Sequence, residues 1–453
     1  PLHHLLLEDI GRPVVATSGN LSGEPIVTDE AAALRRLAGV ADLFLVHDRP
    51  IVRPVDDTVA QVVGGEAQLL RRARGYAPAP IAVAGLADGV LAHGAHLKAT
   101  VAVATPAGLV LGQHLGDLES EAAREAYAAG LADLPRLHGV TPRIAVRDLH
   151  PDYATSHLAE ASGRPVVAVQ HHVAHVAACL AEHGLGPPAL GIAWDGTGYG
   201  PDGTIWGGEF LHVTEAGWRR IARLRPFCLP GGEAAVREPR RAALGLLQEV
   251  MGDACFERRD LTPVAAFGAG ELRVLRIVLA RGVNTPVTSS AGRLFDGVAA
   301  LCGLCQVSSY EGQAAAGLEA VATRQPDGEA YPFPLRAGED GATCLEVDWR
   351  PAIAAMIGDI EAGAAVGVIS ARVHDGLVRA IVEVARHAGQ HVVALTGGCF
   401  QNVRLTEAAS QALERAGFRP LCHRRVPPND GGIAFGQAVW ASWMERTGDG
   451  SCA

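Results

Sequence analysis

The chain has 453 residues, of which 48% are hydrophobic and 19% are charged, and this composition indicates a globular protein with more than one domain. Its formal net charge of −10 argues against a nucleic-acid partner, because binding to phosphate backbones needs a basic surface. No apolar run is long enough to span a membrane, and nine scattered cysteines without a disulfide framework favour a reducing compartment, so we expect a cytoplasmic protein without a membrane partner.

The first unit is predicted over residues 1–78, followed by a proline-stiffened linker over residues 79–86. Within the unit, GRPVVATSGN predicts a buried strand at Val14–Thr17 that runs into a turn. A helix over Asp29–Leu37 and a strand at Leu43–Val46 are predicted after it.

Residues 87–215 are predicted to form the first lobe of a larger domain. Three short strands are expected in GVLAHGAHLKATVAVATPAGLVLGQHLGD, and ESEAAREAYAAGLADLPRLHG predicts an amphipathic helix after them. The buried strands RIAVRD and PVVAVQ follow, and the second leads directly into HHVAHVAACLAEHG, a helix that ends at Gly184. Next, ALGIAWDGTGYGPDGTIWGGEFLHV predicts a strand, a glycine loop and another strand.

The remaining chain is predicted as a helical insertion over residues 216–285 and a second lobe over residues 286–453. In the second lobe, SSAGRLFDGVAALCGL and VHDGLVRAIVEVARHAG predict helices, HVVALTGGCFQN a strand with a glycine turn, and GGIAFGQAVWASW a closing helix. Two halves of strand, glycine loop and helix favour a two-lobed α/β enzyme with its cleft between the lobes.

The run HHVAH predicts a metal site. His171 and His175 are four residues apart, so a helix projects both imidazoles from one face, as in other histidine pairs that share a metal ion. Asp195 and Asp430, each in a glycine-rich segment, could complete a set with an open position that suits Zn²⁺ or Fe²⁺. His172 points elsewhere on the helix, which suggests a supporting or substrate-contacting role.

Two glycine segments predict phosphate binding. DGTGYGPDG and LTGGCFQN each follow an apolar strand, so their backbone N–H groups could surround a phosphate. Neither is a Walker A loop or a dinucleotide fingerprint, and no nucleophile elbow occurs. The chemistry therefore points to metal- or phosphate-directed transfer rather than covalent catalysis.

Taken together, the motifs resemble the HypF family of carbamoyltransferases, which act in hydrogenase maturation. The similar segments include TSGNLSGEPI, RPVDDTV, RRARGYAP, GAHLKAT, DLHPDY, VQHHVAHVAAC, WDGTGYGPDGTIWGGEF, SSAGRLFDGVAALCGL, LTGGCFQN and PPNDGGIAFGQA, in the family's order over nearly the whole chain. The resemblance implies an α/β fold: a two-lobed domain of the actin-like ATPase (ASKHA) type, similar to the transferase that makes threonylcarbamoyl-adenosine in tRNA, preceded by the C-terminal half of a YrdC-like domain. The family's acylphosphatase domain, its zinc-finger-like repeats and the first YrdC-like half have no counterpart in this sequence.

The resemblance also implies a reaction. Carbamoyl phosphate and ATP, with Mg²⁺, would give carbamoyl-adenylate in the YrdC-like unit, and the two-lobed domain would pass the carbamoyl group to the C-terminal cysteine of the partner HypE. There the group becomes the precursor of a cyanide ligand of hydrogenase iron.

The family's functional positions fall on particular residues of this chain. The metal ligands would be His171, His175 and Asp430, with Asp195 as the fourth, and the catalytic residues would include His172 and also Lys98, as a phosphate or carbamoyl contact. Nucleotide-binding positions, in the two glycine segments, at the start of one helix and in the YrdC-like unit, would be Gly196, Thr197, Gly198, Gly208, Gly292, Arg293, Asp296, Gly397, Gly398, Asn402, Ser18 and Asn20.

Three other functions remain open from the sequence. An O-carbamoyltransferase of antibiotic biosynthesis uses the same two domains on a hydroxyl substrate, although the YrdC-like unit comes first here, as in HypF. An actin-like small-molecule kinase fits the paired glycine segments but gives the histidine pair and Asp430 no role, and an RNA-binding module conflicts with the acidic charge. Metal content, together with release of AMP rather than ADP, separates transfer from a kinase reaction.

Overall fold

The computed structural model describes residues 2–323, 329–338 and 344–447. No helix in these residues is long and apolar enough to cross a membrane. The first unit contains two helices and a hairpin: α1 (Leu2–Ile10), α2 (Glu30–Arg36), β1 (Val59–Val63) and β2 (Glu66–Arg71).

The first of two large sheets has six strands in the order β3-β6-β5-β4-β7-β8. These strands are β3 (Pro80–Ile81), β4 (Val90–Ala92), β5 (Ala102–Thr105), β6 (Gly108–Leu111), β7 (Ile144–Asp148) and β8 (Val166–Val169). The helices of this part are α3 (Glu121–Leu137), α4 (Ala154–Glu160) and α5 (His171–Glu182).

The second sheet has nine strands, seven of them in the order β14-β15-β11-β10-β9-β16-β17, while β13 pairs with β10 and β12. The strands are β9 (Ala189–Tyr199), β10 (Ile205–Thr214), β11 (Gly217–Leu224), β12 (Phe227–Cys228), β13 (Val287–Thr288), β14 (Leu335–Ala337), β15 (Leu345–Val347), β16 (Val392–Thr396) and β17 (Arg419–Cys422). The helices are α6 (Ala234–Arg237), α7 (Pro239–Met251), α8 (Thr262–Ala265), α9 (Ala269–Arg281), α10 (Ala291–Leu301), α11 (Gln313–Val321), α12 (Arg350–Glu361), α13 (Val366–Ala388), α14 (Val403–Arg415) and α15 (Ile433–Thr447).

Each sheet contains the same five-stranded core. Counted along the chain, β6-β5-β4-β7-β8 and β11-β10-β9-β16-β17 both read 3-2-1-4-5, and in both only strand two runs antiparallel to the other four. Parallel neighbours need a crossover, and helices such as α3 and α4 supply it. The repeated core confirms the predicted two-lobed actin-like fold.

Helices α5 and α15 lie between the two sheets and bury apolar side chains from both. They cross so closely that a Cβ on Gly436 would collide with the carbonyl group of Ala174. A glycine at this crossing therefore brings the histidine helix and the start of α15 into direct contact.

The sheets differ from the predicted lobe boundaries. Strands β9 and β10, predicted in the first lobe at 87–215, pair with β16 and β11 in the second sheet. The predicted helical insertion at 216–285 begins with β11, the predicted linker contains β3, and α15 packs into the first lobe's core. Hydrophobic periodicity identifies an element, but pairing between segments far apart in the chain decides its sheet.

The structure confirms only part of what the sequence predicted for the first unit. Helix α2 forms where expected, and the side chain of its N-cap residue Asp29 accepts a hydrogen bond from Ala32 N at 2.7 Å. The strands predicted at Val14–Thr17 and Leu43–Val46 are absent: both segments lack regular structure, and Val15 is fully exposed. An apolar run forms a strand only when a neighbour pairs with it, and no described strand does so here.

Candidate metal and nucleotide site

Four side chains from three distant parts of the chain meet at the first turn of α5. Oxygen and nitrogen atoms of His171, His175, Asp195 and Asp430 all lie within 4.8 Å of one another, and all four residues are buried. His175 Nε2 is 3.0 Å from Asp195 Oδ2, and His171 Nε2 is 3.4 Å from Asp195 Oδ2 and 3.5 Å from Asp430 Oδ1. The structure thus brings together the metal-ligand set predicted from the sequence.

A fifth polar residue, Asp148, supports this cluster and escaped the sequence analysis. Its Oδ2 lies 2.8 Å from His171 Nδ1, and its Oδ1 accepts a hydrogen bond from His150 N at 2.9 Å. Contact with a carboxylate fixes the imidazole so that Nε2 faces the other ligands, as is usual behind metal-binding histidines. The clue in the sequence was position alone: Asp148 ends the strand RIAVRD, at the same sheet edge as the histidine helix.

The electrostatics of the cluster suit a cation. Burial alone would lower the pKa of His171, but the carboxylates of Asp430 and Asp148 raise it well above its usual value. Burial would raise the pKa of Asp195, yet the adjacent imidazoles of His171 and His175 hold it well below its usual range. Three buried carboxylates against two imidazoles leave an excess of negative charge.

Two buried nitrogen atoms of the cluster residues, His171 Nε2 and His175 Nδ1, are left without a hydrogen bond. His171 Nε2 points at the two carboxylates but forms no hydrogen bond of acceptable geometry. Buried polar atoms without a partner are rare in folded proteins and often mark a missing ion. The residues present therefore fit a divalent metal ion, and a His₂Asp₂ donor set is compatible with both zinc and iron.

His172 faces away from the four predicted ligands, toward β10. Its Nδ1 is 3.1 Å from Gln170 Nε2, and its ring lies 6.0 Å from the ring of Trp206. Burial lowers the pKa of His172 well below its usual value, so the ring is neutral. Since Nδ1 accepts from the amide, Nε2 carries the proton, and this nitrogen has no partner.

The segment DGTGYG is not the loop predicted from the sequence, because it continues β9 as far as Tyr199 and pairs with β10. Close packing explains why glycine occupies position 198 in this segment and position 208 in the neighbouring strand β10. A Cβ on Gly198 would strike the His172 ring and lie 3.0 Å from His171 Cδ2, and a Cβ on Gly208 would strike Ser289 O. Gly196 N donates to Asp195 Oδ1 at 2.7 Å, and Thr197 lies half-buried between the two glycines.

The segment LTGGCFQN also differs from its prediction as a phosphate loop. Gly397 N donates to Pro428 O at 3.0 Å, and Gly398 N donates to Asp195 Oδ1 at 3.2 Å, so both N–H groups are engaged within the protein. The side chain of Asn402 is equally occupied. Its Oδ1 accepts from Leu405 N at 2.8 Å as the N-cap of α14, and its Nδ2 lies 2.9 Å from His374 Nε2.

The three residues predicted to hold the nucleoside lie at the start of α10, against the same end of β9. A Cβ on Gly292 would be only 2.8 Å from Gly196 Cα. Arg293 Nη2 pairs with Asp296 Oδ2 at 3.1 Å, while Arg293 Nε and Nη1 are buried without hydrogen bonds. Burial and nearby Glu311 raise the pKa of Asp296, against the pull of Arg293. The guanidinium therefore has capacity for an anion or a polar nucleotide group.

Lys98 lies between the lobes. Its Nζ pairs with Glu311 of the second lobe, and its backbone N donates to Asp117 Oδ1 at 2.7 Å in a left-handed conformation, with φ 47°. Burial would lower the pKa of Lys98, but Glu311 and Asp430 raise it, so the ammonium group stays charged near a metal ligand.

A cavity of about 500 Å³ connects Lys98 with the first unit. Both predicted YrdC-like residues, Ser18 and Asn20, line it, together with Asn429, the neighbour of Asp430. Arg71 and His114 also line it and were not identified from the sequence. Of the residues predicted to bind nucleotide, Ser18 and Asn20 line this cavity, whereas those of the two-lobed domain are not part of its lining.

Comparison with known proteins identifies relatives over the whole length of the chain. Residues 191–437 match the family profile described as "Carbamoyltransferase, Kae1-like Domain, second subdomain", and residues 86–182 match the "HypF Kae1-like domain". Residues 1–73 match the profile of the Sua5, YciO and YrdC proteins, described as "Telomere recombination". The boundary between the first two profiles coincides with the step from α5 to β9.

Curated proteins with similar sequences are named carbamoyltransferase HypF or a homolog of it. Carbamoyltransferase HypF of Synechocystis sp. is 47% identical over 453 residues, which cover 97% of this chain and 58% of that protein. A carbamoyltransferase HypF homolog of Cupriavidus necator is 35% identical over 370 residues, which cover 79% of this chain and 92% of that protein. The chain thus spans less than two thirds of the length of the Synechocystis relative.

Solved structures agree with these sequence matches. Full-length HypF in its phosphate- and nucleotide-bound form has a TM-score of 0.93 at 36% identity, over 99% of this chain and 59% of that one. HypF of T. kodakarensis has a TM-score of 0.87 at 32% identity, over 95% of this chain and 57% of that one.

Proposed function

Because this chain belongs to the HypF family of carbamoyltransferases, we propose that it transfers a carbamoyl group from carbamoyl-adenylate to the C-terminal cysteine of HypE. The product would be a thiocarbamate, the precursor of the cyanide ligands of iron in nickel–iron hydrogenase, made in the cytoplasm. The observation that carries the proposal is the buried set of His171, His175, Asp195 and Asp430, all within 4.8 Å of one another.

The transfer exchanges one bond for another at the carbamoyl carbon. The bond from that carbon to the phosphate oxygen breaks, a bond to the cysteine sulfur forms, the thiol proton is released, and AMP leaves with the bonding electrons. Negative charge grows on the leaving phosphate, so cationic groups beside it lower the barrier. Arg293, through its free Nε and Nη1, and Lys98 are the groups we assign to this role, and the neutral His172 would donate a hydrogen bond through Nε2.

We propose that His171, His175, Asp195 and Asp430 hold a divalent metal ion, either iron or zinc, with Asp148 orienting His171 from behind. When bound, such an ion would act as a Lewis acid toward the carbamoyl oxygen. The protein's own contribution is a dry, fixed site: all four ligands are buried, and Gly398 N and Gly196 N both hold the Asp195 carboxylate in place.

An earlier step is proposed for the first unit. Carbamate, formed from carbamoyl phosphate by hydrolysis with release of phosphate, would attack the α-phosphorus of ATP in the presence of Mg²⁺ near Ser18 and Asn20, so that carbamoyl-adenylate forms and pyrophosphate leaves. The cavity shared with Lys98 would lead the adenylate toward the metal cluster without release to water. Arg71 and Lys98 are the cationic side chains of that cavity and would contact the phosphate of the intermediate, among the acidic residues Glu24, Asp56, Asp117 and Glu119 that also line it.

The test of the transfer step supplies preformed carbamoyl-adenylate and HypE to wild-type and His171→Ala protein. We expect His171→Ala to lose the metal and to lower AMP release and HypE carbamoylation more than about 100-fold, beyond the effect typical of contacts behind the ligands. The exposed His387, changed to Ala, is the matched control and should behave as wild type.

Two results would contradict the proposal. One is full metal content with wild-type transfer in a folded His171→Ala protein. The other is release of ADP from ATP with a small-molecule acceptor, which would identify a kinase instead.

A further inference from the structure

Glu182 lies on the same face of α5 as His171 and His175 but outside the metal cluster, and its side chain is almost completely buried. We propose that Glu182, His423 and Thr396, here called the Glu182 clamp, are positioning residues that hold the segment carrying Asp430 against the histidine helix. The inference rests on the metal centre proposed above and assigns a role to three residues that do not touch the metal.

The carboxylate of Glu182 binds a stretch of backbone rather than a side-chain partner alone. Its Oε2 accepts hydrogen bonds from Arg425 N at 2.9 Å, Arg424 N at 3.2 Å and Val426 N at 3.3 Å. Its Oε1 lies 2.7 Å from His423 Nδ1, an ion-pair contact whose angle lies outside hydrogen-bond geometry. Burial would raise the pKa of Glu182, but His423 and the backbone N–H of Arg425 lower it, so the buried group stays ionised.

His423 continues the clamp to a metal ligand. Its Nε2 lies 2.7 Å from Thr396 Oγ1, and the Thr396 hydroxyl donates to the backbone carbonyl of His175 at 3.1 Å. A hydroxyl has one proton to donate, so His423 Nε2 must donate to Thr396, while Nδ1 faces the carboxylate. The clamp therefore runs from the C-terminal turn of α5, across β16, and back to His175.

The segment between β17 and Asp430 needs such a clamp because it has no regular structure of its own. It contains two prolines, which lack N–H groups, and three of its N–H groups end on Glu182. Asp430 Oδ1 is 3.5 Å from His171 Nε2 at the end of this segment. Metal ligands must be placed within about 0.2 Å, so a small shift of the segment would open the site.

Binding of Co²⁺ to the full chain tests this inference, because the ion reports both affinity and ligand geometry through its visible absorption. Thr396→Val removes the hydroxyl with little change in shape, and Thr396→Ser keeps it. We expect Thr396→Val and Glu182→Gln to weaken Co²⁺ binding about 10- to 100-fold, the range seen for residues behind metal ligands, and to change the Co²⁺ spectrum. Thr396→Ser should bind as wild type.

Glu346→Gln is the matched control. Glu346 is also a buried, paired carboxylate, 2.7 Å from Arg223, but it lies in β15 near the far edge of the second sheet. The Glu346→Gln substitution should lower the stability of the protein without changing its affinity for Co²⁺. If Glu182→Gln does not fold, the comparison of Thr396→Val with Thr396→Ser decides alone.

The outcomes separate the two proposals. Wild-type protein that binds no Co²⁺ through His171 would overturn the metal centre and the clamp with it. Wild-type protein that binds Co²⁺ in a His171-dependent way, with equal affinity in folded Thr396→Val, would overturn the clamp alone.

Discussion

Gly198 illustrates, at the scale of single residues, how tightly β9 passes the histidines. The side-chain direction of this residue faces the rings of both His171 and His172. These histidine rings therefore leave no room for a side chain at Gly198. The sequence had instead suggested that this glycine makes room for a phosphate.

We expect Gly198→Ala to displace the rings of His171 and His172 and to reduce metal content and carbamoyl transfer, while far-ultraviolet circular dichroism stays unchanged. The added methyl would lie 3.0 Å from His171 Cδ2, closer than packed carbon atoms approach. Metal analysis of the purified variant is the measurement.

Gly358→Ala in α12 is the control, because a Cβ there meets no atom within 4 Å and alanine favours a helix. That variant should keep its metal and gain slightly in stability. A fully metal-loaded Gly198→Ala protein would show that the histidine rings tolerate the extra methyl.

The sequence predicted some site residues and not others for a physical reason. His171 and His175 follow from helical spacing, which is a local property of the chain. Asp148 and Glu182 act through contacts with His171 and with a distant backbone segment, and such contacts exist only after the sheets have assembled. Glu182 does share the helical face of the histidines, so its spacing was a usable clue.

At the scale of single elements, helix α13 stabilises the N-terminus of helix α14 through one histidine. His374 of α13 donates through Nδ1 to Ser370 O at 2.8 Å and accepts through Nε2 from Asn402, the N-cap of α14. Burial lowers the pKa of His374 to about 4. The folded protein therefore holds His374 neutral, and protonation of Nε2 would break the bond to the cap.

Stability should fall as the pH drops from about 6.5 to 4, because the unfolded chain binds a proton at this position and the folded chain does not. His374 alone would account for a loss of up to about 3 kcal/mol in the free energy of unfolding. Urea unfolding of His374→Gln across this range should show a shallower pH dependence than wild type.

His387→Gln, on the exposed end of the same helix, should retain the wild-type slope. Identical slopes in wild type and His374→Gln would mean that other groups, such as the buried His93, dominate the acid response.

Strand β9 shows why periodicity leaves some elements undecided. Its first half, ALGIAWD, is apolar and was predicted as a strand, but its glycine-rich second half has no apolar pattern to read. Pairing of Gly198 with Trp206 extends the strand, and that pairing is a tertiary contact. The buried strands and amphipathic helices of both lobes, in contrast, carry their pattern in the chain itself and were predicted correctly.

At the scale of the whole molecule, the ion pair of Lys98 and Glu311 joins the two lobes across the cleft. A nucleotide phosphate that uses Lys98 must compete with Glu311. We therefore expect Glu311→Gln to bind AMP about 1.5- to 5-fold more tightly, the gain that corresponds to a partly exposed ion pair. Isothermal titration calorimetry measures the change in the dissociation constant for AMP.

Glu361→Gln removes a similar exposed partner, of Arg258, and should leave AMP affinity unchanged because it lies away from the cleft. Weaker AMP binding by Glu311→Gln would assign Glu311 to the nucleotide site instead of to competition with it.

The first unit is attached to the lobes through its hairpin. Gln61 Nε2 donates to Gln401 O at 2.8 Å, and Leu69 N donates to Arg424 O at 2.9 Å. Within residues 1–100, limited chymotrypsin digestion should therefore cut first after Leu43 and Leu45, which are exposed in a segment without regular structure. Mass spectrometry of the fragments gives the order of cleavage.

Leu91 is the matched site within the same range, since its side chain is buried in β4 of the first lobe. Cleavage after Leu91 before Leu43 or Leu45 would show that the first lobe opens more readily than the first unit.

Helix α15 has a consequence for the order of events during synthesis. The strands of the first sheet leave the ribosome long before residues 433–447, yet those residues fill the core beneath that sheet and bring Asp430 to the histidines. Because these contacts join distant parts of the chain, the lobe that is translated first is completed last. We expect a ribosome-bound nascent chain that ends before α15 to expose the apolar faces of α5 and of the first sheet, which are the surfaces a chaperone would bind.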